Sequence, residues 1–594
     1  SPSDATRAWL AYDDQALYVA FYCYDAQPNG IIAREIRPNS SFEGEDRVTF
    51  AIDPYNIRRD DSFSSFTVNA LGTQSETIAG GRANKREWRG VWEAKAVRTE
   101  DGWSVEMRVP WAILPYPDSQ SPLRMAINFI RYQARTKIES RWSAFTLNFQ
   151  PETIGTWQGV QVPPKPRENR PQILVYTAPE YASGSTNQTV RGGLDLRWSL
   201  NSQMTALVSL KPDFRNIEGA VERVEFSRRE QSLDETRPFF LEGDDYYDTT
   251  MRYGLGRVFY SQRIRDFEGG IKLFGNLRSD QQIGALWVHG NDQQAGLFSY
   301  QWVPDANRLV RLFGTADLRP NARETLYGTR LRYRQGNWDA SFQGAVLQPD
   351  GKETVSAYDI AFTYSVPRFF SSWRWMAIES GFRPRLGLIP FDNRRGWSFY
   401  NQYGNEYRQG ALRRMEASVF VVHTERFNRQ PLERLWEVSL NLVGRNDYAL
   451  GLGADLGEFE GETDRVWKVN LSGNVSDRYR SWRIGYEWGV RSDRSVRYLT
   501  AGFTRRLFGR VDLGVNTAVL ELGERTRQTV VTLGWEIDSR RALTGRLVQR
   551  NGQTNWYLAY RDAGGLGQDL YVIVGDPNAR RFTERVAVKM VWAL

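Results

Sequence analysis

Tryptophans that stand beside charged residues are the first groups in this sequence that could bind a ligand. Trp88, Trp92 and Trp142 lie close in sequence to polar residues that include Arg89 and Arg141. Sugar-binding sites combine apolar aromatic surface with a few placed polar groups that fix the ligand's orientation. We therefore predict that these five residues bind carbohydrate. The alternative left open is that the tryptophans, above all Trp92, are core side chains of strands.

Acidic residues near predicted turns form a second candidate set. Asp14, Asp46 and Asp53 could supply oxygen ligands to Ca²⁺, which takes about six to eight of them. The spacing of the helical calcium-binding loop is absent, and aspartates are also common in turns because they hydrogen-bond to nearby backbone. We expect no obligatory cofactor, and Ca²⁺ at these three aspartates is the alternative to simple turn chemistry.

The sequence offers little for catalysis. It contains no Gly-x-Ser-x-Gly, no His-Glu-x-x-His and no phosphate-binding loop. Its two histidines, His289 and His423, stand far apart, and one cysteine is present. Glu242, Asp244 and Asp245 could serve as acid and base on a glycoside, but a polar loop explains them as well. The sequence predicts a protein that is not an enzyme.

Composition narrows the class of protein. The 594 residues include 78 Lys and Arg against 70 Asp and Glu, a net charge of +8 that is not gathered into a basic tail. This distribution argues against nucleic acid as a partner. No apolar run reaches the roughly 18 residues of a membrane-spanning helix. Aromatic residues make up 13% of the chain and glycines number 51, which is typical of strands with aromatic girdles and tight turns.

Two-residue alternation of apolar and polar side chains dominates the chain beyond Gln172. It is clear in the stretches 327–334, 436–442, 467–472, 482–491 and 531–538. One face of each predicted strand suits hydrocarbon and the other suits water. About 420 residues would make on the order of 20–26 spanning strands. A soluble sheet with one wet face also alternates, but a sheet this large would need helical cover that the sequence does not predict.

The segment from Arg215 to Asp248 breaks this alternation and is dense in charge. Pro238 cannot donate a hydrogen bond to a strand ladder. We predict that the segment folds into a barrel as a constriction, with an extracellular loop as the alternative. The residues assigned to the constriction are Arg237, Glu242, Asp244 and Asp245, paired with the lumen arginines Arg330, Arg332 and Arg334.

Several motifs resemble a known combination of domains. Asp13-Asp14-Gln15-Ala16-Leu17-Tyr18 and the stretches 46–48, 53–56, 66–72, 91–93 and 102–110 resemble the family-9 carbohydrate-binding-like domain. The stretches 212–214, 217–218, 237–243 and 259–264 resemble an uncharacterised outer-membrane barrel to which that domain is fused in a large bacterial group. The resemblance implies a sandwich domain of sugar-binding type joined to a membrane barrel.

We therefore expect an all-β protein of the bacterial outer membrane. Residues 1–165 should form a β-sandwich on the periplasmic side, and residues 166–594 a large antiparallel transmembrane β-barrel, with a proline-rich junction at 162–171. The predicted function is a porin-like or uptake component whose sandwich binds a glycan. The alternative is a non-conducting structural or assembly protein whose sandwich docks a partner protein or peptidoglycan. Expected partners are outer-membrane lipid, a glycan and other envelope proteins.

Overall fold

The computed structural model describes the chain with a number of short gaps. The residues outside the description are 1–3, 59–61, 80–90, 144–152, 165–170, 183–188, 201–202, 213–223, 229, 231, 233–234, 236, 248, 252–255, 265–266, 306, 564–568, 577–578, 580 and 594. Among the described residues, no helix is both long and apolar enough to cross a membrane.

Two facing sheets form the N-terminal sandwich. The first has strand order β1 (Thr6–Tyr12), β2 (Ala16–Tyr24), β7 (Gly102–Pro110) and β6 (Glu93–Thr99). The second has the order β10 (Gly155–Val160), β8 (Leu123–Gln133), β3 (Arg47–Asp53), β4 (Ser64–Asn69) and β5 (Gln74–Thr77), and β9 (Ile138–Arg141) pairs with β8. Alternate residues of these strands point inward, and Phe21, Phe50 and Trp103 are fully buried between the sheets.

The remaining long strands make one closed barrel of 24 strands, each antiparallel to its neighbours. This confirms the predicted all-β fold and a strand number within the predicted range. The strands are β11 (Gln172–Ala182), β12 (Thr189–Ser199), β13 (Met204–Leu210), β16 (Gly269–Arg278), β17 (Gln281–His289), β18 (Gln294–Asp305), β19 (Arg308–Arg319), β20 (Ala322–Gln335), β21 (Trp338–Pro349), β22 (Val355–Val366), β23 (Phe369–Ile378), β24 (Arg394–Glu406), β25 (Leu412–Glu425), β26 (Pro431–Gly444), β27 (Tyr448–Phe459), β28 (Glu462–Gly473), β29 (Trp482–Arg491), β30 (Arg494–Leu507), β31 (Val511–Leu522), β32 (Glu524–Glu536), β33 (Arg541–Arg550), β34 (Gln553–Ala563), β35 (Asp569–Val574) and β36 (Arg585–Ala593).

Closure joins the last strand to the first. β36 pairs with β11 in a register that sets Val175 opposite Trp592 and Thr177 opposite Met590. A closed sheet has no free edge, so every strand of the wall has a hydrogen-bonded neighbour on both sides. The predicted domain boundary at residue 165 falls between the end of β10 and the start of β11, beside residues that the structure does not describe.

The alternation seen in the sequence sorts side chains between the two faces of the wall. In β29, Ile484 and Trp488 are exposed on the outer surface, whereas Arg491, on the opposite face, forms an ion pair with Asp455 in the bore at 2.8 Å. The same pattern recurs around the barrel. Tryptophans exposed on the outside include Trp287, Trp302, Trp373, Trp436, Trp467 and Trp535.

One long excursion interrupts the wall, between β13 and β16. We call residues 211–268 the inner segment. Its described parts contain the short helix α1 (Pro238–Leu241) and a small hairpin of β14 (Thr250–Met251) and β15 (Gly256–Arg257). It leaves and rejoins the wall at the end of the barrel opposite the sandwich, because β11 starts at the sandwich end and successive strands alternate in direction.

Candidate functional site in the barrel lumen

The inner segment crosses the bore from one wall to nearly the opposite wall. Glu242 pairs with Arg197 on β12, and Arg228 pairs with Asp464 on β28. In the order of the barrel, β12 is the second strand and β28 the sixteenth, so the two attachments lie 16 − 2 = 14 strands apart in one direction and 24 − 14 = 10 in the other. The segment therefore obstructs the lumen.

The first attachment combines apolar packing with a buried cation. Lys272 on β16 is fully buried, and its ammonium donates hydrogen bonds to the backbone carbonyls of Phe239, at 2.7 Å, and Glu242. The same ammonium lies 4.6 Å from the centre of the Tyr247 ring. The ring of Phe239 packs edge-on against Phe240, with 5.2 Å between ring centres. One wall residue thus fixes the end of α1 by charge-assisted hydrogen bonds and cation–π contact.

Glycines let the aromatic rings approach the wall. A Cβ on Gly270 would stand 2.8 Å from the Phe239 ring and 2.9 Å from that of Phe267. Gly243, just after α1, has φ of +71°, and a Cβ there would stand 2.6 Å from the Phe274 ring. A larger residue at either position would push the segment away from the wall.

The second attachment is a set of polar contacts. The guanidinium of Arg228 makes two parallel contacts to the Asp464 carboxylate, at 2.8 and 2.9 Å, and a third to Ser492 Oγ at 2.9 Å. Tyr498 on β30 donates its hydroxyl hydrogen to the carbonyl of Val224 at 2.7 Å. This side is therefore held mainly by hydrogen bonds and an ion pair, with the Phe459 ring 4.5 Å from the guanidinium, whereas the first attachment combines a buried cation with packed aromatic rings.

The structure places the predicted constriction residues in different roles. Arg237 is buried, pairs with Glu235 at 2.6 Å and donates to the Ile264 carbonyl, so it organises the segment internally. Glu242 faces the wall. Asp244 and Asp245 begin a short 3-10 turn, and the Asp245 carbonyl accepts a hydrogen bond from Arg311 on β19 at 3.4 Å.

The three β20 arginines predicted to meet the inner segment also have acidic partners on neighbouring strands of the wall. Arg332 forms its ion pair with Asp339 on the adjacent strand β21, and Arg334 approaches the same carboxylate at 4.0 Å. Arg330 stands near Asp359 of β22. Adjacent strands in register satisfy these charges within the wall. The wall cations that meet the described part of the segment include Arg197, Lys272 and Arg311. Each occupies a bore-facing position in its strand, a local signal too common along this chain to single them out.

The sandwich sits directly on the rim of the barrel. The fully buried Glu35 accepts hydrogen bonds from Arg478 Nη2 at 2.5 Å and Tyr479 Oη at 2.9 Å, both from the turn between β28 and β29. Arg37 lies 2.8 Å from the Glu536 carboxylate at the end of β32. Burial opposes ionisation of Glu35, but Arg37 and the hydrogen bonds outweigh it and keep its pKa below the usual value. Ion pairs and hydrogen bonds to charged groups therefore hold the sandwich against the rim of the barrel.

The sandwich contacts the barrel rim on both sides of the barrel opening. Tyr55 of the sandwich approaches Asn276 at the end of β16, a rim position far around the barrel from Glu536. A small cleft at this point is shared by all three parts of the molecule. It is lined by Tyr55, Ile57, Ser62, Ala79 and Pro115 of the sandwich, Asp245 and Tyr246 of the inner segment, and Asn276 and Gln282 of the wall. The sandwich therefore contacts the inner segment as well as the rim.

The structure divides the predicted sugar-binding residues. Trp92 is 5% exposed, packs edge-on against Phe66 and donates its indole hydrogen to Glu76 at 3.0 Å. It is therefore a core side chain, which is the alternative that the sequence left open for it. Trp142 is 52% exposed and packs over Gly155 and Phe129.

Arg141, beside Trp142, forms an ion pair with Glu139 at 2.7 Å. Trp88 and Arg89 lie outside the described residues. Of the predicted carbohydrate surface, the described part thus retains one exposed ring with one charged pair next to it.

The three aspartates proposed for Ca²⁺ do not form one site. Asp46 and Asp53 flank and end the seven-residue strand β3, which separates them by roughly 20 Å at about 3.3 Å per residue. Asp46 accepts backbone hydrogen bonds from Ile32 and Ala134, and Asp53 from Tyr55 and Arg58. These two buried carboxylates therefore stabilise loops of the sandwich by accepting hydrogen bonds from the loop backbone.

Asp14 is exposed at the turn between β1 and β2. Across the described part of the chain, no group of three or more His, Cys, Asp or Glu side chains is arranged to hold a metal ion. Burial raises the pKa of Asp53 to about 6, against the hydrogen bonds that favour its charged form. Asp46 and Asp53 are therefore too far apart to share one ion, and hydrogen bonding to nearby backbone is the role that the structure shows for them.

Comparisons with known proteins give a family match and a set of distant barrels. Residues 171–283, from β11 into β17 and including the inner segment, match the family described as "Domain of unknown function (DUF5916)". No curated protein sequence matches the chain.

Solved barrel structures are similar at low identity. The siderophore receptor PirA of Pseudomonas aeruginosa is 9% identical over 80% of this chain and 87% of its own, with a TM-score of 0.40. The translocation pore of the P pilus usher PapC is 9% identical over 92% and 98%, with a TM-score of 0.27. OccK10 (OpdN) of P. aeruginosa is 8% identical over 72% and 98%, with a TM-score of 0.27. At these values no ligand or activity is transferred from them.

Proposed function

We propose that the chain is an outer-membrane β-barrel protein that controls passage of solutes through its bore. The supporting observation is the closed 24-strand wall with large apolar side chains on its outside and charged ones inside. An exposed apolar surface of this extent is unstable in water and is stable in lipid. Backbone groups in lipid must be paired, which a closed wall achieves.

In this proposal the inner segment, which crosses the bore, is the part that moves to open it. The inner segment is joined to the wall covalently only at its two ends, and its contact with β28 is made of hydrogen bonds and one bidentate ion pair. The Asp464 carboxylate is only 1% exposed, so Arg228 leaves at low cost only when water or another cation takes its place. A porin-like or uptake role follows, in which displacement of the segment opens the lumen.

The sandwich then acts at the periplasmic mouth. It covers the rim where the chain enters the barrel, and it contacts the inner segment at the cleft that includes Tyr55 and Tyr246. We assign the glycan to the exposed Trp142 of this domain. Its binding would be a means of signalling to the mouth, since the sandwich, rim and inner segment touch one another.

A second candidate is a non-conducting structural or assembly protein. The observation that favours it is the set of ion pairs where the sandwich meets the rim. Glu35 of the sandwich and Glu536 of the barrel are both buried against barrel arginines there. A domain fixed in this way would serve as a docking platform for an envelope partner or for peptidoglycan, and it would keep the mouth closed.

Conductance separates the two candidates. The full chain and a variant lacking residues 230–248 are inserted into planar lipid bilayers, and swelling of proteoliposomes is followed with sugars of increasing size. A controlled channel gives small or intermittent conductance in the intact chain and a large, steady increase in the deletion variant. Equal and negligible conductance of two correctly folded proteins supports the structural role instead.

A further inference from the structure

Arg228 occupies a site on the barrel wall that has the features of a receptor for a guanidinium group. Both terminal nitrogens contact the Asp464 carboxylate, at 2.8 and 2.9 Å, and one of them also contacts Ser492 Oγ at 2.9 Å. The guanidinium carbon lies 4.5 Å from the centre of the Phe459 ring. A planar guanidinium is bound well by three kinds of partner: a carboxylate that accepts hydrogen bonds from both terminal nitrogens, a hydroxyl acceptor and the face of an aromatic ring.

Wall residues orient the carboxylate of this site, and Phe226 of the inner segment adds a contact 4.9 Å from the guanidinium of Arg491. The Asp464 carboxylate accepts a hydrogen bond from the backbone of Ser492 at 2.9 Å, and Arg491 stands 3.8 Å away on the other side. Arg491 is in turn fixed by Asp455 at 2.8 Å. Because these wall partners all belong to strands β27 to β29 and the turn that follows, the carboxylate keeps its orientation when Arg228 leaves.

The site also lies where a solute can reach it. Asp464 is near the start of β28 and Ser492 is in the turn between β29 and β30, at the end of the barrel opposite the sandwich. The Arg228 side chain is 17% exposed although its partner carboxylate is only 1% exposed. Solvent therefore reaches the ion pair from the side of Arg228 and not from the side of the carboxylate.

We propose that this wall site, made of Asp464, Ser492 and Phe459, binds solutes that carry a guanidinium group, and that Arg228 is an internal ligand that competes with them. A primary ammonium is a weaker ligand because it acts as a point charge and cannot make two parallel contacts to one carboxylate. Displacement of Arg228 by such a solute frees the inner segment from β28 while the aromatic attachment near Lys272 persists.

Binding of L-arginine methyl ester to the full chain in detergent tests the proposal. The control ligand is L-citrulline methyl ester, which has the same α-amino group but a neutral urea in place of the guanidinium. In the Arg228→Ala variant the internal competitor is gone, so we expect the arginine ester to bind at least tenfold more tightly than to the unaltered protein by calorimetry. The double variant Arg228→Ala with Asp464→Asn should lose this gain, and the citrulline ester should not show it in any variant.

Two further variants serve as controls for this binding experiment. Arg263→Ala removes another arginine of the inner segment, paired with the exposed Glu230, and should leave the affinity for the ester unchanged. Arg228→Lys keeps a cation in place for folding and should give an intermediate gain. Barrel content by circular dichroism identifies folded protein. The proposal is overturned if neither Arg228 variant binds the ester more tightly, or if the gain survives Asp464→Asn. The measurement is independent of conductance, so it stands apart from the proposed channel function.

Discussion

Lys272→Met should detach the helical part of the inner segment from the wall. The ammonium of Lys272 is the donor to two buried backbone carbonyls, those of Phe239 and Glu242, and methionine fills a similar volume without a donor. Leaving each carbonyl unpaired costs about 1–3 kcal/mol, so the attachment loses roughly 2–6 kcal/mol. Because about 1.36 kcal/mol is a factor of ten, even the lower limit raises the population of the detached segment roughly 30-fold.

Amide hydrogen exchange measures this population directly. Amides of residues 239–247 should exchange at least roughly 30-fold faster in Lys272→Met, whereas amides of the distant strands β31 to β33 should keep their rates. Lys468→Met is the matched control, because Lys468 also faces the bore but forms an ion pair with Asp455 on the neighbouring strand β27. Unchanged exchange at 239–247, or equal acceleration throughout the barrel, would refute the role assigned to Lys272.

Three further predictions concern the sandwich and the segment. The pKa of Glu35 is lowered in the folded protein, so its stabilisation of the contact between sandwich and rim is complete above the usual carboxyl pKa and is lost as pH falls through the lower folded value. Cross-linking of the sandwich to the rim should therefore weaken at that low pH. Glu35→Gln should reduce this pH dependence. Trp92→Ala should destabilise the sandwich by about 3–5 kcal/mol in thermal unfolding, whereas Trp142→Ala should leave stability nearly unchanged and lower any glycan affinity on an array. Gly270→Val should raise bilayer conductance, because its side chain would enter the space of the Phe239 ring, and normal conductance with normal exchange at 239–247 would contradict this.

The wall could be read from the sequence because alternation is a local property of each strand. Ile484 and Trp488 reveal their outward direction through their immediate neighbours, and the length of the chain limits the number of strands. The inward course of the inner segment was also signalled locally, by charge density and by Pro238. These features require no knowledge of which strand lies next to which.

The partners of the inner segment could not be read in this way. Arg332 and Lys272 are both basic residues at bore-facing positions, but only the register of the whole barrel decides that Arg332 has Asp339 within reach and that Lys272 lies beneath α1. The same limit applies to Trp92 and Trp142. Both have polar neighbours in sequence, and only the packing of two sheets buries one and exposes the other.

The position of the inner segment in the chain dictates an order of assembly. It emerges between the third and fourth strands of the wall, and the cylinder is complete only when the last strand meets the first. Both ends of the segment are tied to the same rim, so it cannot be threaded in afterwards as a free end. The wall must therefore close around its own contents. The Phe239 contacts need only the adjacent strand β16, whereas the contact to Asp464 joins the segment to a strand twelve places further along the wall.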